Sequence, residues 1–346
     1  MSNLNKIALE IISNGKGILA ADESTGTMTK RLESVGVTST SENRLSFRNI
    51  LFNSSCMKKC IGGVILYDET IRQSYNNIKI PEIISNMGSH PGIKVDTGAK
   101  VLAGSREEKI TEGLDGLRDR LKEYHSLGAK FTKWRGVYII SEKYPSKLSI
   151  VSNAHALARY SAIVQECNMV PIVEPEVLMD GEHSIDTSFD VTTEVLDSVF
   201  DALSNLDVYL EGMILKPNMV LSGYDSKDQA SVEEVADATV TCFQRTVPAA
   251  VPGIVFLSGG LSEEEASLYL NEMNILSVDK PWNVSFSYGR ALQHSCLKAW
   301  AGGNIDGGQK ALIARAQANS EASKGSYVLG SQPSSDEKLF VAGYTY

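Results

Sequence analysis

Lys216 closes an apolar run, Tyr209-Leu210-Glu211-Gly212-Met213-Ile214-Leu215-Lys216, and Pro217 follows at once. The run reads as a buried strand whose regular pairing Pro217 stops. On a strand, Gly212, Ile214 and Lys216 share one face, which puts a single amine at an otherwise apolar mouth. Burial and a nearby cation both disfavour a charged ammonium, and a neutral lysine amine adds to carbonyls to form a Schiff base. Taken alone, Lys216 reads more plainly as a lysine snorkelling into solvent. Its companions change that reading. Asp22, Lys94 with Asp96, Lys133 with Arg135, and Glu174 with Glu176 also stand at the ends of apolar runs. Each pair is spaced i, i+2, so both side chains point the same way. Lys133 is the candidate cationic neighbour. Glu174 and Glu176 are candidate general acid and base for dehydrating a carbinolamine, with coupled ionisation.

Two further stretches suit an anion. Ser258-Gly259-Gly260 and Ser287-Tyr288-Gly289-Arg290 are small, donor-rich turns that lead into helices. Glycine lets backbone N–H groups approach closely, a helix N-terminus favours negative charge, and Arg290 supplies a bidentate grip. Ser24, Thr27 and Lys94 are candidates for a second phosphate. The histidines show no ligand-like spacing, so no metal and no cofactor are expected. Gly15-Lys16-Gly17 imitates a dinucleotide fingerprint but precedes a strand instead of following one, which excludes it.

The elements that must position these residues alternate. Strands are expected at 17–22, 63–68, 92–96, 130–135, 169–176, 209–216, 253–258 and 282–288. Helices are expected at about 3–14, through Arg31-Leu32, and at about 42–59, 112–127, 151–166, 188–204, 232–245, 263–274, 290–301 and 306–319. Ser24 to Thr27 reads as a polar loop, and Ser41 as the cap of the 42–59 helix. Ser231-Val232-Glu233-Glu234 and Ser262-Glu263-Glu264-Glu265 are capping boxes. Eight strands alternating with helices imply an α/β (β/α)8 TIM barrel, whose strand C-terminal ends share one face where sites are built. The expected organisation is a barrel over 1–321 and a flexible Gly/Ser-rich tail over 322–346.

The 346 residues carry a net charge of −9, 42% hydrophobic and 22% charged residues. That is ordinary for a globular protein and argues against nucleic acid as a partner. No run is long enough to span a membrane, and the start lacks a signal-peptide pattern. The five scattered cysteines fit reduced thiols, so the expectation is a cytoplasmic enzyme.

Seven stretches in order carry a resemblance: 17–26, 92–96, 133–135, 173–176, 215–219, 257–260 and 286–290. Across nearly its whole length the chain resembles class I, Schiff-base-forming fructose-1,6-bisphosphate aldolase. The resemblance implies reversible cleavage of fructose 1,6-bisphosphate to dihydroxyacetone phosphate and glyceraldehyde 3-phosphate, in glycolysis and gluconeogenesis. It implies a metal-free cytosolic homotetramer. It gives the imine to Lys216, proton shuttling to Glu174, the C4 hydroxyl proton to Asp22 with Glu174, and charge balance to Lys133 and Glu176. Ser258, Gly259, Gly289 and Arg290 match the holders of the dihydroxyacetone-side phosphate, and Ser287 is a further substrate-binding candidate. Ser24, Thr27, Arg31, Lys94 and Arg135 match other substrate-binding positions. Tyr346 matches the family's C-terminal tyrosine, which assists proton transfer at the enamine carbon. Thr27, Thr97 and Leu261 depart from the family's frequent Ser, Lys and Gln, and bear on the preference for a bisphosphate. A transaldolase-like enzyme is the neighbouring alternative, and a binding protein the alternative from another class. A basic mouth also suits acidic segments of other proteins, such as cytoskeletal partners, as a secondary role.

Overall fold

The computed structural model describes residues 3–343. Eight parallel strands close into a barrel: β1 (Gly17–Ala21), β2 (Ile61–Leu66), β3 (His90–Lys94), β4 (Phe131–Tyr138), β5 (Val170–Val177), β6 (Ile214–Leu215), β7 (Gly253–Phe256) and β8 (Asn283–Tyr288). They follow sequence order around the barrel, with β1 pairing β8 to close it. Helices lie between successive strands, so the expected (β/α)8 architecture is the one observed.

The strands are short and apolar because both faces are covered. One face packs on the outer helices. The other fills the barrel interior, where Ile18, Ile65, Phe131, Val170, Ile172, Ile214 and Val255 meet. Helix α1 (Asn3–Ile12) plugs the N-terminal end of that interior with Ile7, Ala8, Ile11 and Ile12. Gly62 permits the approach: a Cβ there would sit 1.9 Å from the Ile11 carbonyl oxygen. The opposite end stays polar and open, which fits the rule that barrel sites form at strand C-terminal ends.

Several local expectations are corrected. The run 209–216 is not one strand. Leu210–Gly212 is a 3-10 turn, and only Ile214–Leu215 pairs, between β5 and β7. The reason is α1: the Cβ that Gly212 lacks would lie 3.0 Å from the Leu4 side chain, and Asn5 Nδ2 donates to the Glu211 carbonyl at 2.8 Å. Ser24 to Thr27 is not a loop. It opens helix α2 (Thr25–Glu33), with Ser24 as its cap. The 42–59 helix is two helices: α3 (Ser41–Phe52), capped by Thr40, and a five-residue turn, Cys56–Cys60. The helix expected from 112 starts at Leu117, because Lys109–Thr111 pairs with Ala99–Val101 in a hairpin. A second hairpin, Ser74–Tyr75 with Ile78–Lys79, turns on Asn76 and Asn77 at positive φ. Both hairpins escaped the sequence reading, because two- and three-residue strands are too short for periodicity to show. Both capping boxes form as expected.

The last helix ends at Ala322, and from there to Gly343 the described chain has no regular structure. It nevertheless runs back over the barrel through specific contacts. Tyr327 Oη donates to Glu264 at 2.6 Å, Leu339 N donates to the Gly260 carbonyl at 2.9 Å, and Phe340 stacks on Tyr224 at 3.9 Å.

Candidate active site

The ionisable residues at the strand ends converge. Lys133 Nζ on β4 is fully buried, 2.8 Å from Asp22 Oδ2 and 3.3 Å from Glu174 Oε2. Lys216 Nζ stands 3.0 Å from the other oxygen of Glu174. Glu174 on β5 therefore bridges the two lysines, and Lys133 bridges the two carboxylates. This is more balanced than a bare cation beside Lys216: the two lysines are met by two carboxylates. Burial alone would raise the Asp22 carboxyl, but Lys133 and Lys216 outweigh it and hold it below its ordinary value. Glu174 behaves likewise, lowered against its burial by Lys133, Lys216 and Arg135. Both are therefore carboxylates near neutrality, able to accept a proton.

The backbone fixes Lys216 although β6 is short. Its N–H donates to the Val173 carbonyl at 2.8 Å, and the Pro217 carbonyl accepts from Leu257 N at 3.1 Å. Asn218 ties in the preceding strand β5 and the Ile185–Asn205 helix, accepting from Val177 N at 2.9 Å and donating to Thr192 Oγ1 at 3.2 Å. Asn218 thus anchors the backbone beyond Lys216, a role the sequence reading did not assign.

These groups open into a cleft of about 600 Å³. Of the predicted residues, Asp22, Arg31, Arg135, Glu174, Glu176, Lys216, Ser258, Gly259, Ser287, Gly289 and Arg290 line it. Arg135 Nε donates to Glu176, so these two neighbours from β4 and β5 form one ion pair at the rim. On the far side, Gly259 has φ +58°, which exposes backbone N–H groups without a Cβ penalty. Gly289 caps the Arg290–Trp300 helix, whose N-terminus faces the cleft. Ser287 Oγ is buried there with no hydrogen-bond partner among the described residues, a donor left for a ligand oxygen. Arg290 meanwhile donates to the Leu339 carbonyl of the tail.

Other predicted residues lie around the cleft and do not line it. Lys133 is beneath it. Ser24 Oγ accepts from Thr27 N at 3.3 Å and lies 3.1 Å from Thr27 Oγ1, so both hydroxyls serve the start of α2. Lys94 Nζ is paired with Asp96 at 2.5 Å. Tyr346 lies outside the described residues. The reading missed Glu23, which lines the cleft and holds Arg31 in an ion pair. Its signal was visible: an acid directly after Asp22 at the mouth of β1. Among the described residues, no three His, Cys, Asp or Glu side chains gather as metal ligands.

A paired lysine and carboxylate ring beside an anion cradle is a site for carbonyl chemistry on a phosphorylated substrate. The sequence profile described as class-I fructose-bisphosphate aldolase, a glycolytic family, matches residues 3–346. This chain belongs to the class-I fructose-bisphosphate aldolase family. It is 52% identical to the non-muscle aldolase of Lethenteron camtschaticum, over 99% of this chain and 96% of that one. It is 50% identical to human aldolase B over the same shares. The solved aldolase of Plasmodium falciparum, in complex with TRAP and a small-molecule inhibitor, superposes with a TM-score of 0.93 at 47% identity, covering 94% of this chain and 95% of that one. As a class-I aldolase the chain is a lyase.

Proposed function

We propose that this aldolase cleaves fructose 1,6-bisphosphate reversibly to dihydroxyacetone phosphate and glyceraldehyde 3-phosphate, in glycolysis and gluconeogenesis, through an imine on Lys216. The observation that carries the reading is Glu174 bridging Lys133 and Lys216 at the mouth of a cleft that ends in Ser258, Gly259, Ser287 and Arg290. The Lys216 amine adds to the C2 carbonyl, and Glu174 supplies and recovers the protons as the carbinolamine loses water. Asp22 with Glu174 takes the C4 hydroxyl proton. The C3–C4 electron pair then moves into the imine, the aldehyde leaves, and an enamine remains. Tyr346 assists protonation of that enamine at C3, brought there by the segment after residue 321. Water then hydrolyses the product imine. Lys133 and Glu176 balance charge, while Ser258, Gly259, Ser287, Gly289 and Arg290 hold the dihydroxyacetone-side phosphate. Ser24, Thr27, Arg31, Lys94 and Arg135 serve the other end.

This reading calls for no metal and no cofactor. It extends to a cytoplasmic homotetramer, with acidic protein segments as secondary ligands of the basic mouth. The test compares cleavage of fructose 1,6-bisphosphate with fructose 1-phosphate, with and without a chelator. Preferred cleavage of the bisphosphate, unchanged by chelator, is expected. Indifference to the second phosphate would remove the role of Lys94 and Ser24, and chelator inactivation would overturn the metal-free route.

A further inference from the structure

Arg48 stands on α3, one layer outside the cleft, with its side chain fully buried. Its Nη2 donates to the Glu23 carbonyl at 2.7 Å. Its Nη1 faces Glu69 Oε2 at 3.4 Å, an oxygen that Arg44 Nε also takes at 2.9 Å. The Glu23 carboxylate is engaged by Arg31. Around the turn after β1, the ion pairs of Arg31, Arg44 and Arg48 run to the carboxylates of Glu23 and Glu69, with Asp22 nearby. Arg48 shares its Glu69 oxygen with Arg44, so its own ion pair is the longer of the two, beneath the turn that carries Asp22. Burial pushes the Arg48 guanidinium below its ordinary pKa, while Glu23, Glu69 and Asp22 favour its charge. Its Nε is buried without a hydrogen-bond partner among the described residues.

A cation buried this deeply and matched this loosely costs stability, and an apolar side chain of similar volume would pack there more favourably. What Arg48 adds is placement. β1 ends at Ala21, so no ladder holds the peptides of Asp22 and Glu23. The bond from Arg48 to the Glu23 carbonyl fixes the Glu23–Ser24 peptide, one residue beyond Asp22. The geometry points to Arg48 as a positioning residue for C3–C4 cleavage: through the Glu23 carbonyl it sets where the Asp22 carboxylate meets the C4 hydroxyl. Arg48 touches neither substrate nor Lys216, so imine formation does not depend on it. The inference rests on the proposed role of Asp22 in taking the C4 proton.

The experiment separates the two steps. Imine formation is read as the rate of borohydride trapping of dihydroxyacetone phosphate on the enzyme, and cleavage as kcat on fructose 1,6-bisphosphate. Arg48→Met lowers cleavage about tenfold, as expected for a displaced catalytic group, while trapping stays within about twofold. Arg48→Lys keeps a donor for the Glu23 carbonyl and restores cleavage to within about threefold. If the methionine variant does not fold, Arg48→Gln takes its place with the same expectation, being too short to reach the carbonyl. Asp22→Asn is the reference and loses cleavage while keeping trapping. Equal loss of both steps in Arg48→Met, or loss of neither, overturns the inference. If Asp22→Asn itself loses both steps together, the role of Asp22 fails, and the proposal for Arg48 fails with it for that separate reason.

Discussion

Lys133 is the residue on which the charge balance turns. It meets both Asp22 and Glu174, so removing it strips two buried carboxylates of their shared ion-pair partner. Breaking one partner from a buried charge network costs about 3–5 kcal/mol. Lys133→Met should slow imine trapping by about 10²–10⁴ with Lys216 intact, the range for losing organised proton transfer. Unchanged trapping in that variant would show that Lys133 is only structural. The involvement of these residues was legible in the sequence, because i, i+2 charges at the ends of apolar runs have few structural explanations. Their connection was not. Pairing distances across strands depend on register, here Arg135 opposite Glu174 and Val137 opposite Glu176, which one chain's pattern does not specify. A simple repulsion between Lys133 and Lys216 was the expectation. The structure inserts Glu174 between them.

At the scale of elements, α1 decides how the barrel is closed at its N-terminal end. Its apolar face was legible as a short amphipathic helix, but its place was not, since nothing local says which surface a helix covers. That contact also explains why the 209–216 run breaks into a turn and a two-residue strand. Gly62 reports on the same contact. Gly62→Ala places a methyl 1.9 Å from the Ile11 carbonyl, so α1 must shift away. The expected loss is about 3 kcal/mol, the upper end for overpacking, read from the urea midpoint. A midpoint like that of the parent would mean that α1 rests loosely on the barrel. The α2 and α3 starts were misplaced for a different reason. Ser24 and Thr40 are caps, and each stands among other hydroxyl residues that would serve as well.

For the whole molecule, the barrel was legible because eight apolar runs alternating with helices leave few closed architectures. The path of the tail was not, since its anchors are side-chain and backbone bonds to Glu263, Glu264 and Gly260, without periodicity of their own. The site also couples to global stability through pH. Asp22 and Glu174 are held below their ordinary values, so their contribution is fully present above about pH 4–5 and is lost as pH falls through their lower folded values. These two carboxylates should therefore contribute no slope from neutral pH to about pH 5 and a loss below about pH 4, on top of the decline that the burial-lowered His90 and His183 add below their ordinary value in parent and variant alike. In Lys133→Met, burial gains the upper hand, at least one of the two carboxyls rises, and the sign reverses. That variant should trail the parent most at neutral pH and recover part of its loss toward pH 5, in chemical denaturation across that range. Parallel curves for the two proteins would detach the carboxylates from Lys133.

The central claim is that Lys216 forms the imine. Incubating the protein with dihydroxyacetone phosphate, reducing with borohydride and mapping the peptides by mass tests it directly. The reduced adduct should appear on Lys216 alone, with activity lost in proportion to labelling. An adduct on Lys133 or any other lysine, or full activity after Lys216 is labelled, would contradict the account.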